Sequence, residues 1–272
     1  MVDMEAIAQS ISERAADIIA NLVKKGIIDR SIFLNYEKMS EANLHSWLQY
    51  ALIKAADEVS NERGLEMGLR GLPEVRVRFK NPLDPEELLP GRDGRKRSQK
   101  RVDVGFFLGR QFLGFGECFT LDEFHGCIPT RELVNLLKQR ARQEGIDLEK
   151  VVNVRKMWIT PRDILIHMVK NAKDEWKPCI AILVLTLPNS FSGVKLASNI
   201  HHRLLVKEGA KFFVEKWRLF LEELRKHELH AGPCSPSPEA GLEELPKHKL
   251  HAHLIRITDK VVEVDGQIRV IF

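Results

Sequence analysis

Residues 101 to 120 read RVDVGFFLGRQFLGFGECFT, and this stretch decides the fold. Two runs rich in valine, phenylalanine and leucine, RVDVGFF and FLGFGECFT, flank a short connection containing Gly109 and Arg110. Aromatic and β-branched residues fit a pleated, half-buried surface, and glycine allows a tight turn. The stretch therefore predicts two antiparallel strands forming a hairpin. Inside the hairpin sit two carboxylates, Asp103 between Val102 and Val104, and Glu117 in the company of Phe115 and Phe119. The interval from 103 to 117 lets a strand leave, turn and return beside itself, so the two side chains can converge. Unpaired carboxylates in apolar company are costly, and a metal or a cationic partner would relieve that cost.

Working outward, EVRVRFK at 74 to 80 alternates apolar and charged residues as a half-buried strand does. Before it, EANLHSWLQYALIKAADEVS carries Leu44, Trp47, Leu48, Ala51 and Ala55 at helical spacing, with Ser40 as the expected N-cap. A first amphipathic helix is expected over 3 to 25, with Gly26 as its stop. After the hairpin, the pattern predicts a helix from Thr130 to Gly145, a strand at 151 to 160, and a helix from Pro161 to about Asp174. CIAILVLTLP at 179 to 188 is a continuous apolar run suited to a central strand covered on both faces. A helix with Phe212, Phe213, Trp217 and Phe220 spans about 206 to 227, and 232 to 241 reads as an exposed proline-rich loop. Near the end, Asp265-Gly266 lies between alternating apolar flanks, a strong signal for a type I′ hairpin turn.

The organisation expected is an N-terminal helical segment at 1 to 36, an α/β core at 37 to 200, and a C-terminal helix plus β-hairpin extension at 201 to 272. With 272 residues, 44% of them hydrophobic and 29% charged, the chain can bury one substantial core. Its longest apolar run, near Ile180 to Leu187, is too short to cross a bilayer, so no membrane span is expected. The first residues lack the apolar stretch of a secretory signal, which points to the cytoplasm. Cys118, Cys127, Cys179 and Cys234 form no Cys-x-x-Cys pair and read as buried thiols.

The formal net charge of +4, from 42 basic against 38 acidic residues, is too slight to identify a polyanionic partner. Local clustering matters more. GRDGRKRSQKR at 91 to 101 is the most basic stretch, and its Arg92, Arg95, Lys96, Arg97 and Lys100 are candidate phosphate contacts just before Asp103.

The order helix, strand, strand, strand, helix, strand, with one acid in the second strand and another at the end of the third, resembles the PD-(D/E)xK nuclease superfamily over about 37 to 187. The resemblance implies a restriction-endonuclease-like mixed sheet flanked by helices. It gives Asp103 the role of the first acid, Glu117 the second, and Glu41 on the preceding helix the helical acid, with Asp103 and Glu117 as ligands of Mg²⁺ or Mn²⁺. Such hard cations favour carboxylate oxygens, acidify water and offset phosphate charge, so phosphodiester hydrolysis of nucleic acid, DNA ahead of RNA, is the expected activity.

The chain departs from that pattern at one place: Phe119 stands where the motif lysine is expected. Either another cation substitutes in space, with Lys138 and Lys156 the nearest by order, or the protein is a silent relative that binds nucleic acid without cutting it. A third reading makes the first helix and the Trp217 helix an oligomer surface, with a homodimer as the assembly.

Plainer readings stand beside these. Asp103 and Glu117 can pair with arginines such as Arg101 and Arg110, and an acid at Glu41 is stabilised by a helix dipole without any catalytic reason. His45, four residues after Glu41, shares a helix face with it or serves as scaffold. His227, His230, Cys234, His248, His251 and His253 could together supply zinc ligands but match no familiar spacing; the histidines read as surface residues, with a structural zinc as the alternative. No phosphate loop, Gly-x-Ser-x-Gly elbow or His-Glu-x-x-His motif is present.

Overall fold

The computed structural model describes residues 3–34, 43–83, 96–119, 139, 141–143, 145, 167–186 and 250–271. Helix α1 spans Met4–Lys24, its N-cap Asp3 accepting from the Ala6 amide at 3.0 Å. Its Ile7, Ile11, Ala15, Ile19 and Leu22 are buried. Gly26, at φ 71, ends it as expected, because only glycine enters that left-handed region without steric cost.

Helix α2 spans Leu44–Glu62 and follows Asn43, which has φ 49 and makes no side-chain capping bond. The expected start at Ser40 is thus corrected: the regular helix begins at Leu44, and Ser40 and Glu41 lie outside the described residues. Leu44, Leu48, Ala51, Leu52, Ala55 and Ala56 face the core. Gly116 makes room for this stripe, since a Cβ there would come within 2.7 Å of Leu52.

Seven strands follow: β1 (Leu69–Leu83), β2 (Arg97–Leu108), β3 (Gln111–Phe119), β4 (Ile180–Thr186), β5 (His251–Ile257), β6 (Val261–Val264) and β7 (Gln267–Ile271). They form one sheet in the spatial order β1-β2-β3-β4-β5-β6-β7. β1–β2, β2–β3, β5–β6 and β6–β7 pair antiparallel, while β3–β4 and β4–β5 pair parallel. The chain is therefore a mixed α/β protein with a seven-stranded mixed sheet and helices packed on it. α2 lies against β1 to β3 and α1 against β4 to β7, and the two helices touch each other.

The expected hairpin is present, closed by Leu108↔Gln111 around Gly109 at φ 59. β4 is buried at every residue, as a parallel strand between two others requires. Its approach to β3 depends on Gly114, where a Cβ would lie 1.9 Å from the Ile180 carbonyl oxygen. The Asp265-Gly266 turn also forms, with φ 52 and 82, the two positive values a type I′ turn needs.

Three expectations change. The C-terminal strands are not a separate hairpin packed on a core, because β5 pairs in register with β4 and β6–β7 extend the same sheet. β1 runs well beyond 74 to 80 at both ends. The basic stretch is only partly a loop, since Arg97 to Arg101 already belong to β2.

Of the expected helix ending at Gly145, residues Gln139 and Ala141 to Gln143 are helical and Gly145 has φ 65. The helix expected through about Asp174 is described from 167 and ends earlier, at Asn171: Ala172 forms a bridge with Phe79, Lys173 is extended, and a separate 3₁₀ turn follows at Asp174–Trp176. The expected strand at 151 to 160 and helix at 206 to 227 lie outside the described residues.

Candidate functional site

The ladder between β2 and β3 runs from Leu108↔Gln111 to Val104↔Gly116, and one further step puts Asp103 opposite Glu117. At that point the Asp103 carboxylate takes over: its Oδ2 accepts from the Cys118 amide at 2.7 Å. The β1 side is irregular at the same level. Its register passes from Pro73↔Val104 to Val75↔Val102, over Glu74, which has φ 58. A non-glycine residue at such a φ is uncommon, and it interrupts the side-chain alternation of the strand. In place of a ladder bond, the Asp103 carbonyl accepts from Gln49 Nε2 of α2 at 3.3 Å, and the same amide group reaches Glu74 at 3.2 Å.

The interruption gathers charged groups from three elements. His45 Nε2, in the first turn of α2, lies 3.3 Å from Asp103 Oδ1. Lys100 Nζ, on β2, lies 2.7 Å from Glu117 Oε1 and donates to the Arg101 carbonyl at 3.0 Å. Glu117 is 3% exposed and the Lys100 side chain 16%. Burial pushes the Glu117 carboxyl up to about 7, and the Asp103 charge adds to this, against the opposing pull of Lys100 and His45. A buried acid pushed up to about 7 beside a largely covered lysine is the unusual electrostatic feature here.

The candidate residues thus separate. Asp103 and Glu117 come together as expected, on neighbouring antiparallel strands. Glu117 pairs with neither Arg101 nor Arg110: Arg101 points outward to Glu74 at 2.6 Å, and the cation at Glu117 is Lys100. Lys100 was expected as a phosphate-contacting loop cation, and the structure corrects this to a strand residue largely covered beside Glu117. Of the other basic candidates, Lys96 is exposed, the Arg97 backbone opens β2, and Arg92 and Arg95 lie outside the described residues, as do Lys138 and Lys156. Phe119 is buried in the core, and its carbonyl accepts from the Thr186 hydroxyl at 3.2 Å.

Sequence reasoning missed Lys100 at this site because strict alternation puts positions 100 and 103 on opposite faces; only the break at Glu74 and Asp103 removes that constraint. Gln49 was missed as well, and its single signal is its place one helical turn after His45.

The reading of His251 and His253 as surface histidines is also corrected. Their side chains are 14% and 13% exposed, with His253 Nδ1 2.7 Å from Asp265 Oδ2 and His251 Nδ1 3.8 Å from Glu5. His227, His230, Cys234 and His248 lie outside the described residues. The apolar face of α1, expected in one reading as an oligomer surface, is spent on the sheet and on α2. Cys118 and Cys179 are buried, and Cys127 and Cys234 lie outside the described residues.

Among the described residues no three histidine, cysteine, aspartate or glutamate side chains gather as a metal-binding group. The oxygen donors that remain, Asp103 and Glu117, are of the hard type that Mg²⁺ and Mn²⁺ accept. Among the described residues no helix is long and apolar enough to cross a membrane. Comparison with family models, with curated proteins and with solved structures returns no match.

Proposed function

We propose that this chain is a metal-dependent nuclease, hydrolysing phosphodiesters of DNA ahead of RNA on a PD-(D/E)xK-like core at 37 to 200, in the cytoplasm. The observation that carries this reading is the convergence of Asp103, Glu117 and Lys100 where β2 leaves its ladder with β3. Two acids and a lysine are what the resemblance calls for, and here the lysine comes from β2 rather than from position 119.

Asp103 and Glu117 would hold Mg²⁺ or Mn²⁺, which when bound supplies Lewis-acid polarisation of the phosphate and an acidified water. His45 and the Cys118 amide keep the Asp103 carboxylate oriented. The Lys100 ammonium beside Glu117 would orient the attacking water and offset charge on the phosphate. Burial excludes bulk water around Glu117 and Lys100, so these interactions are stronger than on an open surface.

The second reading, a silent nucleic-acid-binding relative, is favoured by Phe119 and by the ion pair that already neutralises Glu117. One assay separates the two. Supercoiled plasmid and an end-labelled duplex are incubated with Mg²⁺, Mn²⁺ or chelator. Cleavage that needs metal and vanishes in Asp103→Asn supports the nuclease, whereas binding with no cleavage under any metal supports the silent relative. Equal cleavage by Asp103→Asn, in a preparation free of contaminating nuclease, overturns the mechanism.

A further inference from the structure

We infer that the exposed row Arg76, Arg78 and Arg101 on β1 and β2 is the track along which the phosphate backbone of DNA reaches the Asp103 site, an inference that rests on the nuclease reading. Arg76 and Arg101 are direct cross-strand partners, and Arg78 is the partner of Gln99. Like charges placed directly opposite one another repel, so this arrangement is unfavourable unless an anion bridges it. Arg101 is partly satisfied by Glu74 at 2.6 Å. Arg76 and Arg78 have no ion-pair partner among the described residues, and both are exposed. Lys80, two residues further on, continues the row and is held by Asp174 at 2.7 Å.

Direction and position follow from the register. Among the described strands β1 pairs with β2 alone, and its outer side takes an isolated bridge, Phe79↔Ala172, and the Lys173 amide on the Arg78 carbonyl at 2.9 Å, so the row lies beside a partly covered sheet edge. Alternate strand residues stand about 7 Å apart, so the cations form a line rather than a cluster. The next position on that line is Glu74, tied through Gln49 to the Asp103 carbonyl. The row therefore ends beside the Asp103 backbone. Linear cations with unsatisfied charge fit a polyphosphate backbone better than a single phosphate ion, and the contacts carry no base information.

The test is binding of a fluorescein-labelled duplex DNA by fluorescence anisotropy, in chelator so that cutting plays no part, across a salt series. Arg76→Ala/Arg78→Ala is compared with the wild type and with Lys24→Ala/Lys25→Ala, which removes the same charge from the far end of α1. The track predicts a loss of affinity of about tenfold or more, with the slope of log Kd against log salt reduced by roughly 2, for the arginine pair alone. Equal losses in both double variants, an unchanged slope in the arginine pair, or no binding by the wild type overturns the track. Loss of binding in the arginine pair, with no cleavage by the wild type under any metal, leaves the track standing and removes the nuclease reading. Wild-type binding by the arginine pair, with metal-dependent cleavage lost only in Asp103→Asn, does the reverse.

Discussion

The β2–β3 and β6–β7 hairpins have the same plan and opposite electrostatics. Both close through a two-residue turn with a glycine at positive φ, and both carry an aspartate that binds a backbone amide through one oxygen and approaches a histidine with the other. Asp265 sits in its own turn, accepting from the Leu254 amide at 3.0 Å and lying 2.7 Å from His253. Asp103 sits where the ladder fails, with a second, buried carboxylate beside it that Lys100 pairs. The same chemical groups thus fix a turn at one end of the sheet and meet a second, buried carboxylate at the other.

The sharpest break of this comparison is Asp103→Asn. Asparagine still offers an oxygen to the Cys118 amide, so the fold survives, whereas cleavage in Mg²⁺ falls on the order of a thousandfold, or about 4 kcal/mol of transition-state stabilisation. Plasmid nicking together with a thermal melt checks both halves.

Lys100→Met comes next. Removing the ammonium costs cleavage on the order of a hundredfold, and leaves Glu117 buried without its nearest cation. Melts at two pH values separate the effects. At pH 8 the ionised Glu117 makes the variant less stable by about 3 kcal/mol, while at pH 5 the proton on Glu117 removes most of that difference. Equal destabilisation at both pH values would show that Lys100 acts by packing alone.

The third effect is a titration. With its folded-state pKa raised to about 7, Glu117 keeps a proton in the folded chain that the unfolded chain has lost above the ordinary carboxylate range. The cost of ionising it is absent below that range and fully present above about 7. Mn²⁺ competes with that proton, so its Kd, measured by the shift in Tm, tightens about tenfold per pH unit up to about 7 and then levels off. A flat profile would remove Glu117 from the ligand set.

The smallest effect belongs to the other hairpin. Asp265→Asn retains the left-handed turn, which asparagine tolerates, and loses only the charge beside His253, at about 1 kcal/mol of stability and no change in cleavage. A change in cleavage there would erase the contrast between the hairpins.

Periodicity and turn chemistry in the sequence by themselves determined α1 with its Gly26 stop, the body of α2, the 101 to 120 hairpin, the buried β4 and the Asp265-Gly266 turn, because each rests on contacts between near neighbours in the chain. The adjacency of Asp103 and Glu117 was legible only as a spacing: the register set at the turn would place Asp103 opposite Gly116, and the one-residue shift between Phe106 and Phe107 brings it opposite Glu117. What only the tertiary structure decided are the interactions across distant segments. β5 joins β4 through parallel pairing that no local pattern announces, and His251 and His253 become covered when α1 and the Asp265 turn close over β5. Lys100 reaches Glu117 because the positive φ of Glu74 and the capture of the Cys118 amide by Asp103 break the alternation that sequence reasoning assumes. Local propensity selects the strands; burial of charge at the place where their ladder fails makes one of them a candidate site.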